Sequence, residues 1–223
     1  MADAAPNWSE VTAFRRLERK RLQALRTSVG AEIRAATVAN VDRIVDELLR
    51  VQPTACLAFY WPIRGELALF ATMKRAVQSG ALVALPVVVD KQGPLQFRAW
   101  TPSVRMEQGV WSIPVPADTA AVDPDVLFVP VVGFDAQRYR LGNGGGYYDR
   151  TLAARSPRPR TVGIGFDCLR MPTIQPQAHD LPMDAMVTET LFDVGVLAAG
   201  LLAGGAATKI ECASPPCSMP EPD

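Results

Sequence analysis

Histidine is almost missing from this 223-residue chain; His179 is the single one. That excludes any site needing two imidazoles, such as a His-pair zinc centre or an HExxH helix. Cysteine is scarce. Cys56, Cys168, Cys212 and Cys217 form no CxxC pair, and so few thiols in a chain this long are not a disulfide scaffold, so a reducing, cytoplasmic setting is expected. Net charge is zero, since 23 basic residues cancel 23 acidic ones. No global electrostatic case for nucleic acid survives that balance. Only four of the basic residues are lysine; the rest are arginine, the better bidentate partner for phosphate and carboxylate. The opening Met1–Glu10 lacks the basic and apolar regions of a secretory signal. The longest uncharged stretch near the end, 194–208, is shorter than the roughly 18 residues of a spanning helix, so no membrane segment is expected.

What is present is ample apolar material, 48% of residues, enough for the core of one domain. Apolar residues recur at helical spacing over 8–28, with Ser9 as N-cap, and again over 31–50. These predict an N-terminal helical pair. Apolar runs at 55–61, 81–89, 126–134 and 161–166 read as strands, with a short one at 186–188. Helical patterns over 65–79 and from 147 to 154 separate some of them. Strand–helix–strand alternation predicts an α/β fold with a parallel sheet. Pro130 inside the strongest run requires a strand end or a bulge there. The domain is expected over 8–193, followed by an Ala/Gly- then Pro/Ser-rich tail over 194–223 that is expected to be poorly ordered.

Four clusters carry chemistry. The first is Arg140-Leu-Gly-Asn-Gly-Gly-Gly-Tyr-Tyr-Asp-Arg150, between an apolar strand and a helix start, where open parallel sheets bind ligands. Four glycines in five positions let backbone amides approach an anion closely. Arg140 and Arg150 would add charge-assisted bonds, and Asp149 beside phosphates makes sense as a magnesium ligand. The stretch is neither a Walker A loop nor a G-x-G-x-x-G fingerprint; a ligand-free tight turn is the alternative. The second cluster is His179-Asp180-Leu-Pro-Met-Asp184, either a source of metal ligands or plain turn chemistry. The third is Arg15-Arg16-Leu-Glu-Arg19-Lys20-Arg21, with Arg15 and Arg19 on one helix face, suited to a polyphosphate or to solvent. The fourth is Tyr60-Trp61-Pro-Ile-Arg-Gly-Glu66, whose rings and carboxylate suit a flat heterocycle or core packing at a strand end.

In this order the clusters resemble the 5-formyltetrahydrofolate cyclo-ligase family. The match rests on Gly133-Phe-Asp135, Arg140 to Asp149, Arg64-Gly-Glu66, the basic N-terminal helix and 179–189, and it covers about residues 12 to 190. The resemblance implies a single Rossmann-like domain with a mostly parallel sheet flanked by helices. It implies conversion of 5-formyltetrahydrofolate and ATP to 5,10-methenyltetrahydrofolate, ADP and phosphate, with Mg²⁺. Carried onto this chain, it places Arg15 and Arg19 on the ATP phosphates. The nucleotide site would be lined by Arg140, Leu141, Gly142, Asn143, Gly144, Gly145, Gly146, Tyr147 and Tyr148, with Arg140 and Tyr148 catalytic. Asp149 and Asp180 would hold the metal. Trp61, Glu66, Asn143, Gly144, Gly145, Gly146 and Tyr147 would meet the folate, mono- or polyglutamylated, in a protein expected to be monomeric. Arg15 stands where the family commonly has lysine, and Asn143 where many members are bulkier. A non-catalytic folate- or nucleotide-binding module of the same fold is the alternative.

Overall fold

The structure, a computed structural model, describes residues 7–192. The tail expected over 194–223, with Cys212 and Cys217, lies outside them. Two long helices come first, α1 (Trp8–Ser28) and α2 (Ala31–Val51). The cap of α1 is Asn7 and not Ser9. Its side chain accepts the Glu10 N–H while Glu10 reaches back to the Asn7 N–H, a reciprocal box that satisfies two orphan donors. Ser9 instead donates its hydroxyl to Asn7.

The strands are β1 (Cys56–Ala58), β2 (Leu82–Val87), β3 (Gln96–Ala99), β4 (Met106–Gln108), β5 (Pro114–Pro116), β6 (Ala121–Val122), β7 (Val126–Pro130), β8 (Gly133–Phe134), β9 (Arg140–Leu141), β10 (Arg160–Ile164) and β11 (Ala185–Val187). Two shorter helices are α3 (Phe70–Gln78) and α4 (Tyr147–Ala153). The main sheet runs β11-β10-β7-β1-β2-β3-β6. Its first five strands are parallel and its last two antiparallel, so the expected mostly parallel sheet flanked by helices is what forms.

Burial explains the order. β1 and β7 are central, and Leu57, Ala58, Val126, Leu127, Phe128 and Val129 are at most 1% exposed, as expected of strands covered on both faces. Phe59 stacks on Phe128 with centroids 4.5 Å apart. α2 turns Val41, Ile44, Val45 and Leu48 into this core, and Asn40 donates to the carbonyls of Thr188 and Glu189 beyond β11.

The apolar run 126–134 is not one strand. Pro130 ends β7, as a residue with no N–H must in a central ladder, and the chain re-forms as the hairpin β8–β9. The helical pattern at 65–79 starts only at Phe70. Arg64 and Gly65 both have positive φ, so the chain leaves β1 through a tight turn that holds Glu66 before the helix can begin.

Candidate active site

Trp61, Glu66, the stretch 140–149 and Asp180 collect around the C-terminal ends of β1 and β7, with Arg15 and Arg19 of α1 against them, whereas Asp184 accepts Thr161 N–H at the start of β10. After β1 come Trp61 and Glu66; after β7 come the β8–β9 hairpin, the glycine turn 142–146 and α4. Asp135 anchors the hairpin. Its carboxylate accepts the N–H groups of Gln137 and Tyr139 and, from the far segment, that of Ile174. The Phe-Asp pair of the motif is therefore a brace, and it fixes the carbonyls to which Arg15 donates.

The glycine turn needs its glycines. Gly144 has φ +97° with the Arg19 guanidinium packed against it. Gly146 has φ +66°, and a Cβ there would stand 2.8 Å from Arg150 Nη1. Both conformations are costly for any residue with a Cβ. Residues 143–146 are exposed, and among the described residues the N–H groups of Asn143, Gly144, Gly145 and Gly146 donate to no protein acceptor. Such a run of donors without a protein acceptor is what an anion cradle requires.

Arginines stand on it and behind it. Arg19 Nε donates to Gly142 O at 2.8 Å, which holds the guanidinium over the turn. Burial lowers its pKa, with Arg15 nearby adding to the effect, yet arginine stays charged. Arg15 is buried and donates to Ile174 O and Gln175 O, and it pairs with Asp180 at 2.5 Å. Arg140 is buried and holds Leu181 O at 3.1 Å and Asp149 Oδ1 at 3.0 Å.

The two aspartates lie on neighbouring segments, for Leu181 N also donates to Asp149 Oδ1. They are not equivalent. Burial would raise Asp180, but hydrogen bonds from Arg15 and from Gln177 N outweigh it and hold the carboxyl below its usual range. Both its oxygens are engaged. Among the described residues no donor reaches Asp149 Oδ2, so a carboxylate oxygen is left for a hard cation. These residues also contain no group of three or more His, Cys, Asp and Glu able to hold a metal. A site here has the chemistry Mg²⁺ accepts, one or two carboxylates completed by phosphate and water.

On the other side of the turn Glu66 is buried. Its carboxylate accepts Ile63 N at 3.0 Å, Asn143 Nδ2 at 3.3 Å and Arg26 Nη1 at 3.4 Å. Burial raises its pKa despite those donors. Tyr148 lies under the Arg140 guanidinium, 5.8 Å from ring centroid to Cζ. Burial first, then the nearby Glu66 charge, pushes its phenol well above the usual value, so it keeps its proton. Trp61 packs edge-on to Phe70 at 4.8 Å. Tyr147 donates its hydroxyl to Lys91 O and meets Trp111 edge-on at 5.7 Å.

Four residues here escaped the sequence reading: Gln23, Arg26, Arg34 and Trp111. Gln23 donates to Asn143 Oδ1 at 3.0 Å, and Arg34 donates to Gly65 O and Arg26 O. A signal existed for Arg26, which is seven residues beyond Arg19 and shares its helix face. Nothing local marks Trp111, which is 63% exposed at the tip between β4 and β5. His179 joins no polar constellation beyond a 3.8 Å approach to Asp180.

The fold and site define an open α/β sheet protein whose strand ends carry an exposed glycine turn bordered by arginine and carboxylate. A model of the 5-formyltetrahydrofolate cyclo-ligase family matches residues 11–189, so the chain belongs to that family and is an enzyme of that ligase type, acting in folate one-carbon chemistry. It is 26% identical over 179 residues to the 5-formyltetrahydrofolate cyclo-ligase of Haemophilus influenzae, covering 77% of this chain and 96% of the relative. The Escherichia coli K12 protein of the same name is 32% identical over 139 residues, covering 59% and 76%. In fold, the chain resembles the NMR structure of Aquifex aeolicus 5,10-methenyltetrahydrofolate synthetase, with a TM-score of 0.68 at 24% identity, covering 90% and 98% of the two chains. Among the described residues no helix is long and apolar enough to cross a membrane.

Proposed function

We propose that the protein converts 5-formyltetrahydrofolate and ATP to 5,10-methenyltetrahydrofolate, ADP and phosphate, with the triphosphate on the glycine turn and the folate against Glu66. The carrying observation is the exposed run of unpartnered amides at 143–146, with the Arg19 guanidinium held against it through Gly142 O. One helix and one turn thus border a place for phosphate and a place for an N–H-rich heterocycle.

The chemistry asks little more of the protein. A formamide oxygen carries the amide's electron density and attacks the γ-phosphorus, breaking the bond to the ADP oxygen. N10 then adds to the formyl carbon; phosphate leaves with the former formyl oxygen and N10 gives up its proton. No protein nucleophile is needed, so catalysis is positioning and charge stabilisation. Arg15, Arg19, Arg140 and the turn amides would bind the phosphates, and Tyr148 would donate from beneath. Trp61 and Tyr147 would offer ring faces to the folate while Glu66 accepts an N–H. Asp149, with its open oxygen, would hold Mg²⁺, joined by Asp180 if Arg15 turns to the nucleotide. Bound there, the ion would neutralise triphosphate charge. In this reading the enzyme works as a cytoplasmic monomer and accepts glutamate-extended folates.

The test is absorbance-monitored formation of methenyltetrahydrofolate by purified protein with ATP, Mg²⁺ and 5-formyltetrahydrofolate. Turnover is expected, and Asp149→Asn should abolish most of it while the protein stays folded with a modestly lowered melting temperature, since asparagine keeps an acceptor for Arg140 and Leu181 N but loses the charge. Folded wild-type protein that binds the folate but yields no product would overturn the reading in favour of a non-catalytic module.

A further inference from the structure

We propose that Arg26 is a positioning residue for Glu66: it keeps that buried carboxylate charged and aimed at the folate, a role that rests on the folate-side reading of Glu66 given above. Arg26 is 1% exposed, near the C-terminal end of α1, and all three of its nitrogens donate inside the protein. Nε and Nη2 converge on Arg64 O at 3.2 and 3.0 Å, and Nη1 reaches Val131 O at 3.1 Å and Glu66 Oε1 at 3.4 Å. One side chain therefore ties α1 to the turn after β1 and to the end of β7, with the carboxylate between them.

The turn it holds would not keep that shape by local preference. Arg64 has φ 47°, unusual for a residue with a side chain. Gly65 has φ +77°, and a Cβ there would lie 2.9 Å from Thr27. Arg34, stacked on Phe166 at 5.2 Å, supports the arrangement from α2 through Gly65 O and Glu66 O.

A structural role alone does not account for the pair. The two side chains are 2% and 3% exposed, and a buried ion pair is commonly no more stable than apolar side chains of the same volume. The geometry suits use instead. An ionised carboxylate has about four acceptor sites, and three donors are present here, two of them at 3.3 and 3.4 Å, the long end of the range. Capacity remains for an N–H from the substrate. Gln23 supports the same end through Asn143, which donates to Glu66 Oε1. The face of α1 that bears Arg15 and Arg19 toward the phosphates thus also bears Gln23 and Arg26 toward Glu66.

The charged and titratable groups around Glu66 are Arg26 from α1, Arg34 from α2, Arg64 and Tyr60 from the β1 side, and Tyr148 from α4. Burial holds the Glu66 carboxyl above its ordinary value. Loss of the Arg26 charge would raise it further, so a larger share would be protonated and unable to accept.

The experiment compares Arg26→Met and Arg26→Lys with wild type by substrate kinetics across pH, each variant first checked for a cooperative melt. For Arg26→Met we expect the folate KM to rise about tenfold on the acid limb of the profile, where a shift of about one pKa unit changes the ionised share of the carboxylate tenfold. The ATP KM should stay within about twofold, and the acid limb of the folate profile should move to higher pH. Arg26→Lys keeps the charge, so its limb should match wild type with a folate KM raised less than about threefold. In a Glu66→Gln background, Arg26→Met should add little. Equal losses for both substrates in both Arg26 variants without a pH shift, or no change in the folate KM of Arg26→Met, would overturn the proposal. If Arg26→Met does not fold, Arg26→Gln, which keeps donors and removes the charge, decides by the same limb. A carbon-13 NMR titration of the Glu66 carboxyl needs no substrate: a raised midpoint in Arg26→Met supports the positioning claim even where wild type fails to turn over, which would sink only the folate reading.

Discussion

Helices α1 and α2 are each 21 residues long, stand next to each other in the chain, and read alike in hydrophobic spacing, yet they bury opposite chemistry. α2 buries Val41, Ile44, Val45 and Leu48, with only Thr37 and Asn40 as polar company. α1 buries Val11 and Leu22 together with Arg15 and Arg26. Each aliphatic side chain of α2 contributes roughly 1.5–3 kcal/mol of burial. The arginines of α1 gain little net stability, because desolvation offsets most of the attraction to their partners. α2 holds the sheet together, whereas α1 arranges the site.

That contrast can be broken experimentally. The largest effect is expected at Arg15→Met, which leaves Asp180 buried without its cation; loss of a buried partner costs about 3–5 kcal/mol. Chemical denaturation should show that loss, and nucleotide titration should show weakened ATP binding as well. Ile44→Ala should cost about 2–5 kcal/mol while leaving the KM for ATP unchanged, since α2 carries no ligand contact in our reading. A raised ATP KM there would erase the division of labour between the helices. Asn7→Ala removes the box that caps α1, and about 1 kcal/mol of stability should go with it. The cap of α2 is Gly30, with no side-chain bond, so Gly30→Ala should be far milder on the same denaturation curve. Least of all should follow from Leu17→Ser. Leu17 is 64% exposed on the outer face of α1, and a change within about 0.5 kcal/mol is expected; a larger drop would mean that this face packs on something.

The glycine stretch was legible because four glycines in five positions suit a backbone that must turn and expose its amides, and Gly144 and Gly146 do sit at positive φ. Pro130 announced the end of β7 through its missing N–H. The start of α3 was misread because Leu67 and Leu69 have the right spacing and are buried, but they are buried from a turn shaped by Arg64 and Gly65. Spacing records which side chains face inward without recording how the backbone gets there. By itself the basic run around Arg15 suits a solvated helix face better than phosphate, since the residues that bury it, Ile174, Gln175 and Asp180, are about 160 positions away along the chain.

By itself the sequence determined the helical pair, the mostly parallel sheet and the glycine turn, because each follows from local periodicity or from the conformational freedom of glycine. Only the tertiary structure decided which charges pair. It set Arg15 on Asp180, Arg140 on Asp149 and Arg26 on Glu66. Ion pairing depends on distance and burial, and both are properties of the packed chain that no single segment carries.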